Sequence, residues 1–366
     1  MEPSIHIRNL IPYKPGKPIE ETQREYGLEE VYKLASNENP LGPSERVIKA
    51  ICEAAGSVHL YPDASFYEAK KSLSRYYGVE EKFITLGNGS NELIDLLIRV
   101  YCEAGDRILT SQGAFIAYKI CAQAARVETV EAPLTEDLKF DVKALLKELE
   151  VDSKIKILFI ANPNNPTGTF LNREELNLLM DKVGHREDLL IVLDEAYCEF
   201  VRDKECPSGL EYFRKFSNVI VLRTLSKVFG LAGLRVGVLI GPEKTVDYVN
   251  RVRNPFNVNQ LALKVIEAAV SDSDYIERSQ NLVWNALDTF YAEFDELGIK
   301  YWKSQGNFVL FDLGRPSGPV FEALLKRGVI TRPVAAYGFP NALRLSVGLP
   351  KENEIAIHAI KEVLKG

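Results

Sequence analysis

From about residue 83 to residue 240 the chain alternates short apolar runs with stretches of helical periodicity. That alternation restricts the fold more than any other feature. Seven runs read as strands: 83–86, 107–110, 126–130, 155–160, 189–193, 219–222 and 236–240. Between them, 91–100, 116–125, 142–149 and 173–182 read as amphipathic helices. Strands alternating with helices imply an α/β domain built on a mostly parallel seven-stranded sheet, covered on both faces. After Pro255 the pattern changes. A long helical stretch over 259–297 leads into a strand at 307–312, a helix at 319–327, a strand at 342–347 and a last helix over 351–364. This reads as a smaller α+β domain, with the hinge inside the long helix. The expected division is an N-terminal arm (1–45) packing with the small domain, a large domain (46–258) and the small domain (259–366).

Composition removes several function classes. The chain has 366 residues, 46% hydrophobic and 26% charged, with a formal charge of −6. That is an ordinary globular balance. With no basic block or arginine-rich arm, nothing supplies affinity for a nucleic-acid backbone. Five scattered cysteines without C-x-x-C spacing read as reduced thiols rather than a disulfide framework or a metal site. The N-terminus carries no apolar signal region, and no apolar run approaches membrane-spanning length. The expectation is a cytoplasmic protein.

Chemistry concentrates in Thr224-Leu-Ser-Lys-Val-Phe-Gly-Leu-Ala-Gly-Leu-Arg235. Lys227 leaves a buried strand between small hydroxyl residues and a glycine-rich turn, and Arg235 follows eight positions on. Strand ends are where open α/β sheets bind ligands. Hydroxyls and an arginine suit a phosphate, and an amine suits a carbonyl; pyridoxal 5′-phosphate offers both. A surface turn with a solvated lysine is the plainer alternative for this segment alone.

Four other segments supply matching residue types. Asp194-Glu-Ala-Tyr197 follows an apolar strand, where Asp194 can pair with a pyridine nitrogen and Tyr197 can donate to the ring oxygen; a helix-capping Asp with a packing Tyr is the alternative. Asn162-Pro-Asn-Asn-Pro-Thr-Gly168 is a rigid loop offering the Asn165 amide to the same oxygen. Gly87-Asn-Gly-Ser-Asn-Glu92 opens a helix whose Ser90 and Asn91 N–H groups would receive a phosphate. Phe115 starts another helix, where its face would stack on the ring or simply join the core.

In chain order, Asn-Pro-Thr-Gly, Asp-x-x-Tyr and Ser-Lys with Arg eight residues on resemble the fold-type I, aspartate-aminotransferase-like enzymes over nearly the whole chain. The resemblance implies a lysine–cofactor imine at Lys227 and phosphate contacts from Thr224, Ser226 and Arg235. It gives Asp194 to the ring nitrogen and Asn165 and Tyr197 to the ring oxygen, with Lys227, Asp194 and Tyr197 as the catalytic group. Leu10-Ile-Pro-Tyr-Lys-Pro-Gly16, Leu34-Ala-Ser-Asn-Glu-Asn-Pro-Leu-Gly-Pro-Ser44 and Tyr61-Pro-Asp63 are similar to the histidinol-phosphate aminotransferase family. That likeness implies a homodimer with Tyr61 reaching the cofactor phosphate of the neighbouring subunit. It also implies substrate contacts from Tyr13, Asn39, Arg332 and Arg344. A guanidinium fork suits both phosphate and carboxylate, so one pocket can take two unlike substrates.

The chain departs from the family pattern twice. Asn91 stands where members often carry Asp, a small change if the contact is through the backbone. Ser111-Gln-Gly-Ala-Phe-Ile-Ala-Tyr118 stands where many read Pro-Thr-Tyr or Pro-Thr-Phe, and resembles paralogues that prefer aromatic amino acids. The expected reaction moves an amino group between L-histidinol phosphate and 2-oxoglutarate. An aromatic amino-acid aminotransferase, a threonine-phosphate decarboxylase and a non-catalytic binding module remain as alternatives.

Overall fold

The computed structural model describes residues 1–12 and 16–365. Tyr13, one of the expected substrate residues, lies outside them. After a two-residue strand, β1 (Tyr32–Lys33), come the seven expected strands: β2 (Ile84–Asn88), β3 (Arg107–Ser111), β4 (Glu128–Ala132), β5 (Ile155–Ala161), β6 (Leu190–Asp194), β7 (Val219–Thr224) and β8 (Val236–Ile240). They form one sheet in the order β2-β8-β7-β6-β5-β3-β4. Every neighbouring pair is parallel except the two made by β8, which runs antiparallel to β2 and to β7. The reason is chain length: residues 225–235, between β7 and β8, are too few for the crossover a parallel pair needs.

The central strands explain their unbroken apolar sequences. Ile157 to Ile160, Ile191 to Leu193 and Val219 to Leu222 are buried because helices cover both faces. The helix Ser90–Tyr101, for example, turns Leu93, Ile94, Leu97 and Ile98 inward. Each such side chain stabilises the fold by about 1.5–3 kcal/mol.

Two details differ from the sequence-based expectation. β4 begins two residues later than 126, because Arg126 adopts a left-handed φ of 65° that closes the preceding helix. The long helical stretch is two helices, Gln260–Val270 and Ser273–Leu297. Asp272 interrupts it: its carboxylate accepts from the Tyr275 N–H and caps the second helix. The first of these helices packs on Glu45–Ala54 and Tyr67–Tyr77.

The C-terminal part holds an antiparallel sheet in the order β12-β13-β10-β9. Its strands are β9 (Lys300–Trp302), β10 (Phe308–Asp312), β12 (Arg332–Pro333) and β13 (Ala342–Ser346). The remaining strand, β11 (Val329–Ile330), pairs in parallel with β1 as a separate two-stranded sheet, which ties the N-terminal segment to the C-terminal part. Two backbone bonds extend the seam, from Leu34 N–H to Ile330 O and from Ser346 N–H to Leu34 O, each 2.9 Å. The seam delivers residues 36–38 to the carboxyl ends of β5, β6 and β7.

Candidate active site

At those strand ends lies a cavity of about 380 Å³. Ten of the expected residues line it: Ser90, Phe115, Asn165, Asp194, Tyr197, Thr224, Ser226, Lys227, Arg235 and Arg344.

Asp194 ends β6 and is buried. Burial raises its carboxyl from the ordinary 3.8 to about 6, against the opposing pull of the Tyr118 hydroxyl and the Ala196 N–H. The Tyr118 hydroxyl donates to Oδ2 at 2.7 Å. Oδ1 is buried and has no hydrogen-bond partner among the described residues. A buried carboxylate oxygen in this state is costly unless a donor arrives from outside the chain. The protonated nitrogen of a pyridine ring is a donor of that kind.

Lys227 follows β7 on a tight turn. Its Nζ donates to the Asn37 carbonyl at 3.2 Å and lies 5.4 Å from the centre of the Tyr197 ring. The turn is held from within: the Thr224 hydroxyl donates to Val236 O at 3.0 Å and accepts from the Ser226 N–H at 3.1 Å. Thr224 therefore shapes the loop and already directs its hydrogen to the backbone. Arg235 takes a left-handed φ of 58°, which turns its guanidinium to within 3.5 Å of Ser226 Oγ and 3.0 Å of Ala232 O.

The neighbouring helix N-terminus completes an anion cradle. Gly89, at φ 79°, precedes Ser90, and a Cβ there would overlap the Arg235 guanidinium. A Cβ on Gly237 would strike the backbone of Gly89 and Ser90. Glycine at both places lets an arginine and the first helical N–H groups approach one point, an arrangement suited to phosphate. Asn91, the second helical residue, is exposed and does not line the cavity.

The third wall comes from the N-terminal segment and the small sheet. Arg344, buried in β13, donates to Asn165 Oδ1 at 2.5 Å and to Ala35 O at 2.6 Å. Its guanidinium lies 5.3 Å from the Phe308 ring. Arg332 sits directly across from it on β12, outside the cavity lining. Asn39 is not at the cavity either: its amide donates to Val228 O and Ser279 Oγ, at 2.8 and 3.0 Å. Tyr61 is 82% exposed, stacked on Phe256 with ring centres 4.6 Å apart, and does not touch its own chain's cavity.

Sequence reasoning overlooked three residues. Asn37, at φ 53°, donates from Nδ2 to the Tyr197 hydroxyl at 2.9 Å. Ser346 accepts from the Asn37 N–H at 2.9 Å and donates to Asn37 Oδ1 at 2.7 Å. Tyr118, fully buried and stacked on Phe159, steadies Asp194. Asn37 lies within the quoted 34–44 segment, and Tyr118 ends the quoted 111–118 stretch. Ser346 carries no local signal.

With this geometry in hand, similarity to known proteins acquires meaning. The family model for aminotransferase class I and II matches residues 29–360. A histidinol-phosphate aminotransferase of Bdellovibrio bacteriovorus is 52% identical, covering 100% of this chain and 99% of that protein. One from an Anaeromyxobacter species is 47% identical, covering 98% of each. A crystal structure of histidinol-phosphate aminotransferase from Sinorhizobium meliloti in complex with pyridoxal-5′-phosphate superposes with a TM-score of 0.89. It is 26% identical and covers 99% of this chain and 97% of that one.

Proposed function

The chain belongs to the class I and II aminotransferases and, within them, to the histidinol-phosphate aminotransferase family; on that premise we propose that it transfers an amino group between L-histidinol phosphate and 2-oxoglutarate, yielding imidazole-acetol phosphate and L-glutamate. The cofactor is pyridoxal 5′-phosphate. One observation carries the reading: a buried carboxylate oxygen without a protein partner, Asp194 Oδ1, lines the same cavity as Lys227.

When bound, pyridoxal phosphate supplies an aldehyde for the amine and a ring that takes up the electron pair left at the substrate's Cα. Asp194 holds a proton at the ring nitrogen. Arg235, Ser226 and the Ser90 N–H hold the phosphate, and Phe115 covers a ring face. Asn165 and Tyr197 bind the ring oxygen. Lys227 Nζ would take the proton from the substrate's Cα as general base and deliver it, as general acid, to the carbon that carried the cofactor's aldehyde. Arg344 and Arg332 receive the anionic ends of the substrates.

We further propose a homodimer in which Tyr61 reaches the cofactor phosphate of the second copy. The exposed apolar side chains Val58 and Leu60 beside it support this. A cytoplasmic location is supported by five cysteines that are all free. Among the described residues, no helix is long and apolar enough to cross a membrane.

The deciding experiment measures kcat/KM for histidinol phosphate, phenylalanine and tyrosine with 2-oxoglutarate. Preference for histidinol phosphate is expected. Preference for the aromatic amino acids would transfer the assignment to the paralogues that the Ser111–Tyr118 stretch resembles.

A further inference from the structure

Tyr197 can help the reaction only if its hydrogen points at the ring oxygen, and the chain contains a device that controls this direction. The Asn37 backbone N–H can only donate, so Ser346 Oγ accepts there, at 2.9 Å. Ser346 then directs its own hydrogen to Asn37 Oδ1, at 2.7 Å. With Oδ1 engaged, the amide presents Nδ2 to the Tyr197 oxygen at 2.9 Å. An amide nitrogen has no lone pair to offer, so Tyr197 accepts in this contact and its hydrogen is left for another partner. Were the amide turned over, Ser346 would receive two N–H groups and its buried hydrogen would lose Oδ1. Tyr197 would then donate to Asn37 instead. Asn37, Ser346 and Tyr197 are all buried, so an unmade bond is costly and the preference is firm.

Resting on the function proposed above, we infer that Ser346 and Asn37 are positioning residues that lock the Tyr197 hydroxyl as a hydrogen-bond donor into the cofactor cavity. The lock joins three parts of the chain: the N-terminal segment, the small sheet and the end of β6. Ser346 lies two residues beyond Arg344 on β13, so both belong to one face of that strand. The charged groups around Tyr197 are Asp194, Lys227 and Arg344, and replacing Ser346 leaves all three in place.

A hydrogen bond donated to the ring oxygen stabilises its negative charge and weakens that oxygen's hold on a proton at the lysine nitrogen. Losing the bond therefore raises the pH midpoint at which the visible absorbance of the holoenzyme changes. The test titrates that absorbance for wild type, Ser346→Ala, Tyr197→Phe and the double variant. Ser346→Ala is expected to raise the midpoint by about one pH unit. Tyr197→Phe should raise it at least as far, and the double variant should match Tyr197→Phe alone. A Ser346→Ala midpoint equal to wild type overturns the inference, even where its melting temperature falls, since a merely structural serine would behave that way. So does a double variant whose shift equals the sum of the two. If Ser346→Ala does not fold, Ser346→Cys, with its weak S–H donor, gives the same reading. A wild-type protein that forms no titratable chromophore with pyridoxal phosphate would instead refute the proposed function itself.

Discussion

The two sides of the β6 and β7 ends handle buried charge in opposite ways. Asp194 and Thr224 line the front cavity, whereas their neighbours Glu195 and Arg223 line a second cavity, of about 330 Å³, behind it. Alternation along a strand separates such neighbours onto two faces. Behind, charge is matched: Arg223 lies 2.5 Å from Glu195 and 3.7 Å from Glu199. The Gly209 N–H donates to the other Glu195 oxygen at 2.5 Å, and Arg223 reaches Ser208 Oγ at 3.2 Å. Buried atoms without a hydrogen bond occur on both sides: Glu195 Oε2, Glu199 Oε1 and Arg223 Nε behind, Asp194 Oδ1 in front. The difference is that behind they belong to facing opposite charges, whereas no ion pair among the described residues engages Asp194. Both sides are buried and ionisable, so burial alone does not mark a functional site. The mark is a charge that the fold has left for something else to complete.

The comparison can be broken by experiment. The largest effect belongs to the front: Lys227→Ala should lower turnover on the order of 10⁴-fold or more, and borohydride should no longer trap a lysyl–cofactor adduct. Near-normal turnover would remove Lys227 from the chemistry. Behind, Arg223→Ala should leave Glu195 and Glu199 uncompensated and lower stability by about 3–5 kcal/mol in urea denaturation. Its residual turnover per folded molecule should stay within a few-fold of wild type; a large loss there would mean that the two sides are not separate.

Asp194 gives a subtler contrast. Its folded-state value of about 6 lies above the ordinary 3.8, so the folded apoenzyme binds that proton more tightly than the unfolded chain. Its contribution to stability is therefore full below about pH 4 and declines as pH rises to about 6, by up to about 3 kcal/mol. Apoenzyme denaturation of wild type against Asp194→Asn should show this difference and its sign. Cofactor affinity should run the other way, weakening as pH falls below about 6, when Asp194 takes up a proton and can no longer hold the ring nitrogen charged. The smallest effect sharpens the boundary of the site. Asn39→Ala should cost about 1 kcal/mol in stability through lost contacts to Val228 and Ser279, with KM for both substrates unchanged. A several-fold rise in KM would bring Asn39 back to the substrate.

The strands of the large sheet were legible from sequence because their signal is local. Largely apolar runs of four to six residues, bounded by turn residues, have few other ways to be buried. Lys227, Asp194 and Arg235 could be read from the same segments, since each lies within a few positions of a strand end, Arg235 immediately before β8. The reversal of β8 was not read, although the short connection implied it. Nor was the break at Asp272, where one capping side chain outweighs helical periodicity on both sides.

What the amino-acid order alone determined is the layered sheet and the set of groups standing at its carboxyl edge, because backbone hydrogen bonding and apolar periodicity act over a few residues. Only the tertiary structure decided which way those groups face and what restrains them. Asn37 and Ser346 meet across 309 positions of chain, and Tyr118 and Asp194 across 76. Such contacts depend on how β1 docks onto β11 and how a helix lies over β6. No local pattern encodes them, since the free energy that selects them comes from burying whole faces together.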